Sequence, residues 1–285
     1  MAELDKFYTN KIVAKNCVDI LNSLFTLQNE MFLEPTAGNG VFLPYLPQYE
    51  AYDLKPENPL IKQQDIFTLI PNRQDYVVIG NPPFGKRSKL AIKVFNTVAK
   101  YSNIIAFIVP ASFMKYRVQH ELDSNFKLVH SNVLPKNSFL DRNKVYDVNC
   151  VFQIWVKENS KFDIYPDNRI TKAPSVSHND FKLWQYNNTP GTMKYIDEDW
   201  TYAVFRQGYK DYTKLFTQKD KQTVKDYMTG ANNNGKKSQM FFIKVLNSEA
   251  DERIKKLDFN ALALKNTSTP GFGKADFIKF YEENL

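Results

Sequence analysis

The sequence is poor in the residues that build metal and disulfide sites. Its three histidines, His120, His130 and His178, have spacings that match no metal-ligand pattern. Its two cysteines, Cys17 and Cys150, each lie inside an apolar periodic stretch, which indicates buried free thiols in a reducing compartment. We therefore expect no metal site and no disulfide framework. A cytoplasmic protein fits this pattern.

Long apolar runs and segregated charge are also missing. The longest apolar run, 104–114, is too short to span a bilayer, and the first residues lack the apolar core of a signal peptide. The net charge of +7 is mild and spread out, because 1–160 carries 18 basic and 15 acidic side chains and 161–285 carries 20 and 16. This bias favours a polyanionic partner only slightly. With 43% hydrophobic residues, the chain can build a substantial core.

The most informative stretch is a short apolar segment followed by Asn81, Pro82, Pro83 and Phe84. Tyr76–Ile79 is apolar and rich in β-branched residues, as buried parallel strands are. The strand must end there because neither proline can donate to a ladder. The asparagine, the prolines and the ring therefore follow the carboxyl end of a central strand, where open α/β sheets bind ligands.

This arrangement suits methylation of an amine that is conjugated to a ring or carbonyl. Such a nitrogen is a poor nucleophile, and two hydrogen-bond acceptors can draw it towards a reactive, tetrahedral state. The Asn81 side-chain carbonyl is one acceptor, and the Pro82 carbonyl, whose direction Pro83 fixes, is the other. Phe84 would offer a face to a planar substrate. The competing interpretation is a proline turn after a buried strand, with Phe84 in the core.

The Asn-Pro-Pro-Phe stretch resembles motif IV of the S-adenosylmethionine-dependent amino-methyltransferases, most closely the N6-adenine enzymes. The resemblance implies S-adenosylmethionine as cofactor. It also implies catalytic roles for Asn81, Pro82 and Phe84, with Asn81 next to the cofactor as well.

Two earlier stretches resemble the cofactor motifs of the same family. Tyr8 and Thr9 precede a predicted helix and resemble motif X, with Asn10 where proline is usual. The stretch 34–40 follows a short apolar strand and resembles motif I. The resemblance places Glu34 opposite the cofactor's ammonium group. The other cofactor-binding residues that it implies in motif I are Thr36, Ala37, Gly38 and Gly40.

Two acids that end later strands resemble motifs II and III. Asp53 can accept hydrogen bonds from both ribose hydroxyls, as the acid after the second strand of nucleotide-binding folds does. By resemblance, Leu54 packs on the adenine ring of the cofactor. Asp65, followed by Ile66, accepts from the adenine amino group. Either acid alone would be interpreted as a surface residue. Because both end predicted strands and lie in order between motifs I and IV, a role in binding the cofactor is favoured.

Further residues are candidates for contacts with nucleic acid. The basic loop after Phe84 could contact phosphates beside a target base, although a solvated helix start explains it equally well. An aromatic residue of the predicted loop 135–147, either Phe139 or Tyr146, could pack edge-on against the target base, or both could belong to the core. Arg206 could read a base edge or simply end an exposed strand. The candidates are Pro83, Lys86, Arg87, Lys89, Phe139, Tyr146 and Arg206.

The motif order, X first and then I to IV, is that of the gamma group and covers roughly 1–158. It implies an α/β fold of the Rossmann-like class I methyltransferase type, with a seven-stranded, mostly parallel sheet and one antiparallel strand. Beyond 158 the composition becomes rich in turn residues. We expect residues 1–158 to form the catalytic domain and residues 159–285 a small α+β domain in the position of a target-recognition domain.

The resemblance implies an adenine-specific DNA methyltransferase that flips its target base, of the kind found in restriction–modification systems. Alternatives that share the site are an RNA adenine-N6 methyltransferase and a protein glutamine methyltransferase. A non-catalytic subunit that binds nucleic acid is a further alternative. We expect DNA as partner, with RNA possible, no membrane association, and a monomer or weak dimer.

Overall fold

The structure is a computed structural model that describes residues 8–141, 144–146, 148–232, 234–265 and 270–284. It contains two compact units that divide between Ala173 and Pro174. The strands of the first unit are β1 (Tyr8–Thr9), β2 (Phe32–Glu34), β3 (Tyr49–Asp53), β4 (Lys62–Gln63), β5 (Tyr76–Gly80), β6 (Ser102–Pro110), β7 (Phe126–Val133), β8 (Phe139–Asp141), β9 (Lys144–Tyr146) and β10 (Cys150–Lys157). Its α-helices are α1 (Lys11–Leu24), α2 (Lys89–Val98) and α3 (Tyr116–Gln119).

A seven-stranded sheet forms the centre of the first unit. Its strand order is β4-β3-β2-β5-β6-β10-β7, and all of its strands are parallel except β10, which pairs antiparallel with both β6 and β7. This is the Rossmann-like arrangement of class I methyltransferases, so the fold prediction is confirmed. A small second sheet, ordered β1-β8-β9, joins the start of the unit to its later part.

The central sheet is buried on both faces, which explains its apolar strands. In β6, Ile104, Ala106 and Ile108 belong to the core cluster that includes the buried face of α1. The alternating residues Ile105 and Phe107 belong to the cluster that includes α2. This alternation is the two-residue period of a strand between two helical layers. Asn10 begins α1, because its side chain accepts a hydrogen bond from the Ile12 amide at 2.9 Å.

Both cysteines are buried and free, and burial raises the pKa of the Cys17 and Cys150 thiols to about 12. Within the part of the chain that the structure describes, no group of three or more histidine, cysteine, aspartate or glutamate side chains could hold a metal ion. Among these same residues, no helix is both long enough and apolar enough to cross a membrane.

Residues 158–173 belong to the first unit, although their turn-rich composition predicts a boundary at 158. The guanidinium of Arg169 donates to the backbone carbonyls of Gln119, Leu122, Asp123 and Phe126, which lie at the end of α3 and the start of β7. A cation suits these carbonyls because a helix end leaves them without intrahelical partners. The boundary therefore depends on side-chain contacts that composition does not reveal.

Replacing Arg169 by methionine should lower the free energy of unfolding of the first unit by about 1.5–3 kcal/mol, the range for hydrogen bonds to a charged group. The four carbonyls would lose their donor, and the guanidinium that lies over the Trp155 ring, 5.5 Å from its centroid, would be removed as well. Urea unfolding measures the change. The control is Lys172→Met, an exposed position of the same segment. Equal midpoints for the two variants would show that Arg169 does not hold the segment.

The second unit is an α+β structure. Its strands β11 (Phe181–Tyr186), β12 (Tyr202–Gln207) and β13 (Gln239–Val245) form an antiparallel sheet ordered β11-β13-β12. Its α-helices are α4 (Lys221–Thr229), α5 (Ser248–Lys256), α6 (Phe259–Leu264) and α7 (Lys274–Glu283). Helix α4 contacts one face through the bond from Tyr186 Oη to the Met228 carbonyl, at 2.9 Å. Helix α5 contacts the other through the bond from Tyr202 Oη to Asp251, at 2.7 Å.

The sequence predicts a single helix over 248–264, but the structure has two. Helix α5 ends at Lys256, and the Asp258 side chain then accepts a hydrogen bond from the Ala261 amide at 3.0 Å. This is an N-cap, so it starts a new helix, α6, in a new direction. The apolar period continues across the break, which is why the pattern alone suggests one element.

Candidate active site

A pocket lies at the carboxyl edge of the central sheet, where β2, β3 and β5 end. Glu34 and Asp53 are the last residues of β2 and β3, and Asn81 follows the last residue of β5. Because neighbouring parallel strands end at the same edge, three polar side chains that are far apart in sequence line one cavity.

Most of the residues predicted to bind the cofactor line this pocket. They are Tyr8, Thr9, Glu34, Thr36, Ala37, Gly38, Asp53, Leu54, Asp65, Ile66 and Asn81. Pro83 also lines it. Among the described residues, Gly40, Pro82 and Phe84 do not line it, and the half-buried Phe84 ring packs on the core cluster that contains α1. The roles of these residues in binding and catalysis stay predictions.

The glycine turn after β2 is held by the neighbouring strand end. Gly38 and Gly40 have φ values of 53° and 77°, and a Cβ on Gly40 would lie 2.8 Å from Leu43 Cδ1. The Gly38 amide donates to one carboxylate oxygen of Asp53 at 2.8 Å, and the Lys55 amide donates to the other at 2.7 Å. Asp53 therefore fixes the turn as well as facing the pocket, a role that its sequence position did not indicate.

Tyr8 covers the same turn from the other side. Its ring carbon Cε1 lies 3.8 Å from the point that a Cβ on Gly38 would occupy. Its hydroxyl donates to Glu57 Oε1 at 2.5 Å, and the Glu57 amide donates to the Gly38 carbonyl at 3.0 Å. A ring and a backbone segment thus enclose the glycine turn, and Glu57 is a contributor that motif comparison missed.

Glu34 is a buried carboxyl group in the pocket wall. It is 2% exposed, and its Oε2 atom has no hydrogen-bond partner among the described residues. Burial raises the pKa of the Glu34 carboxyl well above its usual range, and the nearby carboxylate of Asp53 raises it further. The buried hydroxyl of Thr36, which also lines the pocket, likewise has no partner within the described chain. The wall therefore presents two polar groups that a ligand could satisfy.

Asn81 is oriented by Thr9. The Asn81 Nδ2 atom donates to Thr9 Oγ1 at 3.1 Å. With the amide nitrogen facing Thr9, the carbonyl oxygen of the same side chain is turned away from it. Thr9 is itself buried in β1, where it pairs with Phe139 of β8. The resemblance assigned Thr9 to the cofactor alone, and its contact with Asn81 was not predicted.

Asp65 shapes its own part of the pocket by a local turn. Its Oδ1 atom accepts from the Phe67 amide at 2.9 Å. Sequence reasoning missed eight other lining residues, of which Leu90 and Val94 stand four apart on α2 and share a face of that helix. The helical period of α2 could have indicated this pair. The eight are Pro35, Asn39, Val41, Phe42, Gln64, Phe67, Leu90 and Val94.

The candidates for nucleic-acid contacts fall in different environments. Lys86 and Arg87 are exposed in the loop before α2, and Lys89 is exposed as the first residue of that helix. Phe139 is fully buried in the first unit, which favours its interpretation as a core residue. The side chain of Tyr146 lies outside the described residues. Arg206 is half-buried in the second unit, where its Nη1 atom donates to Gln239 Oε1. Of the candidates whose side chains the structure describes, only Pro83 lies in the pocket wall.

No protein-family model matches the chain, and no curated protein matches it. Solved structures resemble it at low identity. A candidate RNA methyltransferase from Pyrococcus horikoshii is 20% identical, with a TM-score of 0.42 over 54% of this chain and 87% of that one. A methyltransferase subunit of a type I restriction–modification system from Streptococcus thermophilus is 17% identical, with a TM-score of 0.42 over 55% and 46%. The modification subunit of a candidate type I restriction enzyme from Vibrio vulnificus is 15% identical, with a TM-score of 0.44 over 96% and 60%. These similarities are too distant to assign a reaction.

The buried carboxyl of Glu34 should make stability depend on pH. Its pKa is raised in the folded protein, so above the ordinary pKa the unfolded chain releases this proton first. The contribution of Glu34 is therefore fully present below its unfolded pKa and is lost as the pH rises towards its folded pKa. Glu34→Gln keeps a neutral group and removes this loss.

As the pH rises from the ordinary pKa of glutamate, about 4.3, towards the raised pKa of the folded protein, the free energy of unfolding of Glu34→Gln should increase relative to that of wild type. Urea unfolding across this range, without ligand, measures it. The control is Glu121→Gln, an exposed acid of the first unit. Parallel profiles for wild type and Glu34→Gln would mean that Glu34 is ionised in the folded protein.

Proposed function

We propose that the chain transfers a methyl group from S-adenosylmethionine to the exocyclic N6 amine of a flipped-out adenine in DNA. The observation that carries the proposal is the meeting of Glu34, Asp53 and an oriented Asn81 in one pocket. The acids Glu34 and Asp53 suit a cationic nucleoside, and the amide of Asn81 suits a conjugated amine.

The pocket fits the proposed cofactor at several points. The unpartnered Oε2 of Glu34 and the buried hydroxyl of Thr36 could receive an ammonium group. The carboxylate oxygens of Asp53 each accept one backbone hydrogen bond, and a carboxylate has about four acceptor sites, so ribose hydroxyls could bind there too. Asp65 and Ile66 lie on the wall where the resemblance places the adenine ring. When bound, the cofactor supplies a methyl group on a positively charged sulfur.

The chain's own contribution is to activate the amine. Because Thr9 accepts from the Asn81 nitrogen, the Asn81 carbonyl is the end of the side chain that can accept from an amine hydrogen. The Pro82 carbonyl, directed by Pro83, would accept from the second hydrogen. Both contacts favour a nitrogen whose lone pair is available for attack. Phe84 would stack on the base, and the second unit would supply target recognition.

The direct test combines labelled S-adenosylmethionine with genomic DNA, RNA or protein, followed by digestion and identification of the modified residue. We expect N6-methyladenine in DNA. Asn81→Ala should lower the rate by about 10²–10³, by analogy with deletion of a donor that stabilises a transition state, while cofactor affinity stays close to wild type.

The control for Asn81→Ala is Asn132→Ala, an asparagine of β7 outside the pocket wall. If the label is found only in RNA, the substrate is RNA rather than DNA. If it is found only on glutamine, the substrate is a protein. Label in no fraction, with cofactor bound normally, would indicate a non-catalytic subunit.

Asp53→Ala should weaken cofactor binding by about 1.5–3 kcal/mol, as expected for loss of a charge-assisted hydrogen-bond acceptor. Asp53→Asn should weaken it less, because one carbonyl oxygen remains to accept. Calorimetry measures the affinity. Melting temperatures measured alongside separate this effect from loosening of the turn at Gly38. Unchanged affinity in both variants would remove Asp53 from the cofactor site.

A further inference from the structure

The positive charge of the second unit is concentrated in one segment. Residues 207–237 contain seven lysines and three aspartates, whereas the rest of 174–285 contains ten basic and eleven acidic side chains. This segment runs from the end of β12 through α4 to the start of β13. We call it the lysine segment, and it carries the whole positive excess of the unit.

The three aspartates of the lysine segment have other partners. Asp211 accepts from the amide and hydroxyl of Thr213, at 2.9 and 2.8 Å. Asp220 accepts from the Thr217 amide at 2.9 Å. Asp226 accepts from Gln222 Nε2 at 2.8 Å. Asp211 accepts within a turn and Asp220 belongs to a capping box, and among the residues that the structure describes no salt bridge joins any of the three carboxylates to a lysine.

Six of the lysines are exposed, and two of these, Lys214 and Lys219, interact electrostatically with Asp220. The other four are Lys210, Lys225, Lys236 and Lys237. Within the described ranges, no salt bridge joins any of their ammonium groups to a carboxylate. Lys221, by contrast, pairs with Asp197 at 3.0 Å.

Two of these lysines, Lys210 and Lys225, stand close in sequence to a pair of partly exposed tyrosines. Tyr209 stacks on Phe205 with a centroid distance of 3.6 Å, and Tyr227 meets Tyr209 edge-on at 6.2 Å. Lys210 follows Tyr209 directly, and Lys225 stands two residues before Tyr227 on α4.

Backbone contacts bring the remaining two lysines to the same place. The Ser238 amide, next to Lys237, donates to the Tyr227 carbonyl at 2.9 Å, and the Gly235 amide donates to the Gly230 carbonyl at 3.0 Å. Gly230 has a φ of 92°, and a Cβ there would lie 2.7 Å from the Gly235 carbonyl group. The turn is therefore closely packed, and it fixes Lys236 and Lys237 beside the end of α4.

We propose that this surface, made of Tyr209, Tyr227 and the four lysines, binds the sugar-phosphate backbone of duplex DNA. The proposal rests on the proposed function, because it names the part of the second unit that holds the substrate. Unpaired ammonium groups neutralise phosphates without regard to sequence, and tyrosine hydroxyls also donate to phosphate oxygens. A protein partner is disfavoured, because lysine is depleted in protein–protein interfaces. The surface positions DNA and does not read its sequence.

The test replaces all four lysines by glutamine in the full chain. The control replaces Lys172, Lys182, Lys256 and Lys279 by glutamine, which removes the same charge from exposed positions elsewhere. Binding to a fluorescein-labelled duplex of mixed sequence is followed by fluorescence anisotropy between about 50 and 200 mM NaCl, with cofactor affinity measured by calorimetry. An RNA of the same sequence is measured in parallel.

The surface variant should bind duplex DNA at least about tenfold more weakly at the lowest salt, and the slope of log affinity against log salt should fall by about 0.9 for each lysine that contacts a phosphate. The control should keep the wild-type slope, and both variants should keep cofactor affinity. Equal slopes for the two variants would overturn the proposal. A loss confined to RNA would overturn the choice of DNA.

A second substitution tests the rings. Tyr209→Phe keeps the stack on Phe205 and should reduce DNA affinity only by the loss of one hydroxyl, whereas Tyr209→Ser removes the ring and should reduce it further. Equal affinities of wild type and Tyr209→Ser would exclude the rings from the surface.

Failure of this surface and failure of the reaction give different results. If adenine in DNA is methylated but the four-lysine variant binds normally, the reaction stands and the surface is wrong. If the four-lysine variant loses DNA affinity but wild type methylates no DNA, the surface stands and the proposed reaction is wrong.

Discussion

The carboxylate of Asp53 links two neighbouring strand ends, and the shape of the pocket depends on this link. One oxygen accepts from the amide of Gly38, in the turn after β2, and the other accepts from the amide of Lys55, beyond the end of β3. Charge-assisted bonds of this kind are roughly twice as strong as neutral ones. They hold a glycine turn that has few side-chain contacts of its own. An acid that lines the pocket is thereby also part of the scaffold.

The site also tolerates a polar group that the fold alone does not satisfy. Glu34 lies at the end of a buried strand, with one oxygen that has no partner in the described chain. A fold that needed only stability would place an apolar residue here, because an unpaired buried polar atom costs about 1–3 kcal/mol. Such a cost at the edge of a sheet, beside a glycine turn, is typical of a position selected for binding.

The sequence predicted the sheet and most of the pocket because both depend on strand ends. Apolar runs followed by Glu34, Asp53 and Asn81 are local patterns, and parallel topology brings such ends together. The features that the sequence did not predict depend on contacts between segments that are distant in the chain. The bond from Asn81 to Thr9 spans 72 residues, and the guanidinium of Arg169 reaches carbonyls about 50 residues away. Arg206 looked like an exposed strand end, but Gln239 of the adjacent strand accepts from its guanidinium.

The pairing of β1 with β8 has a consequence for the order of folding. Thr9 is held opposite Phe139, so the first strand of the chain finds its place only when a hairpin from far along the sequence is present. Closing a loop of that length costs entropy that local contacts do not return. During synthesis, Asn81 would emerge from the ribosome long before the strand that fixes its orienting partner. The contact between Asn81 and Thr9 is thus among the last features to form, and a nascent chain can carry a folded glycine turn while its asparagine still lacks this contact.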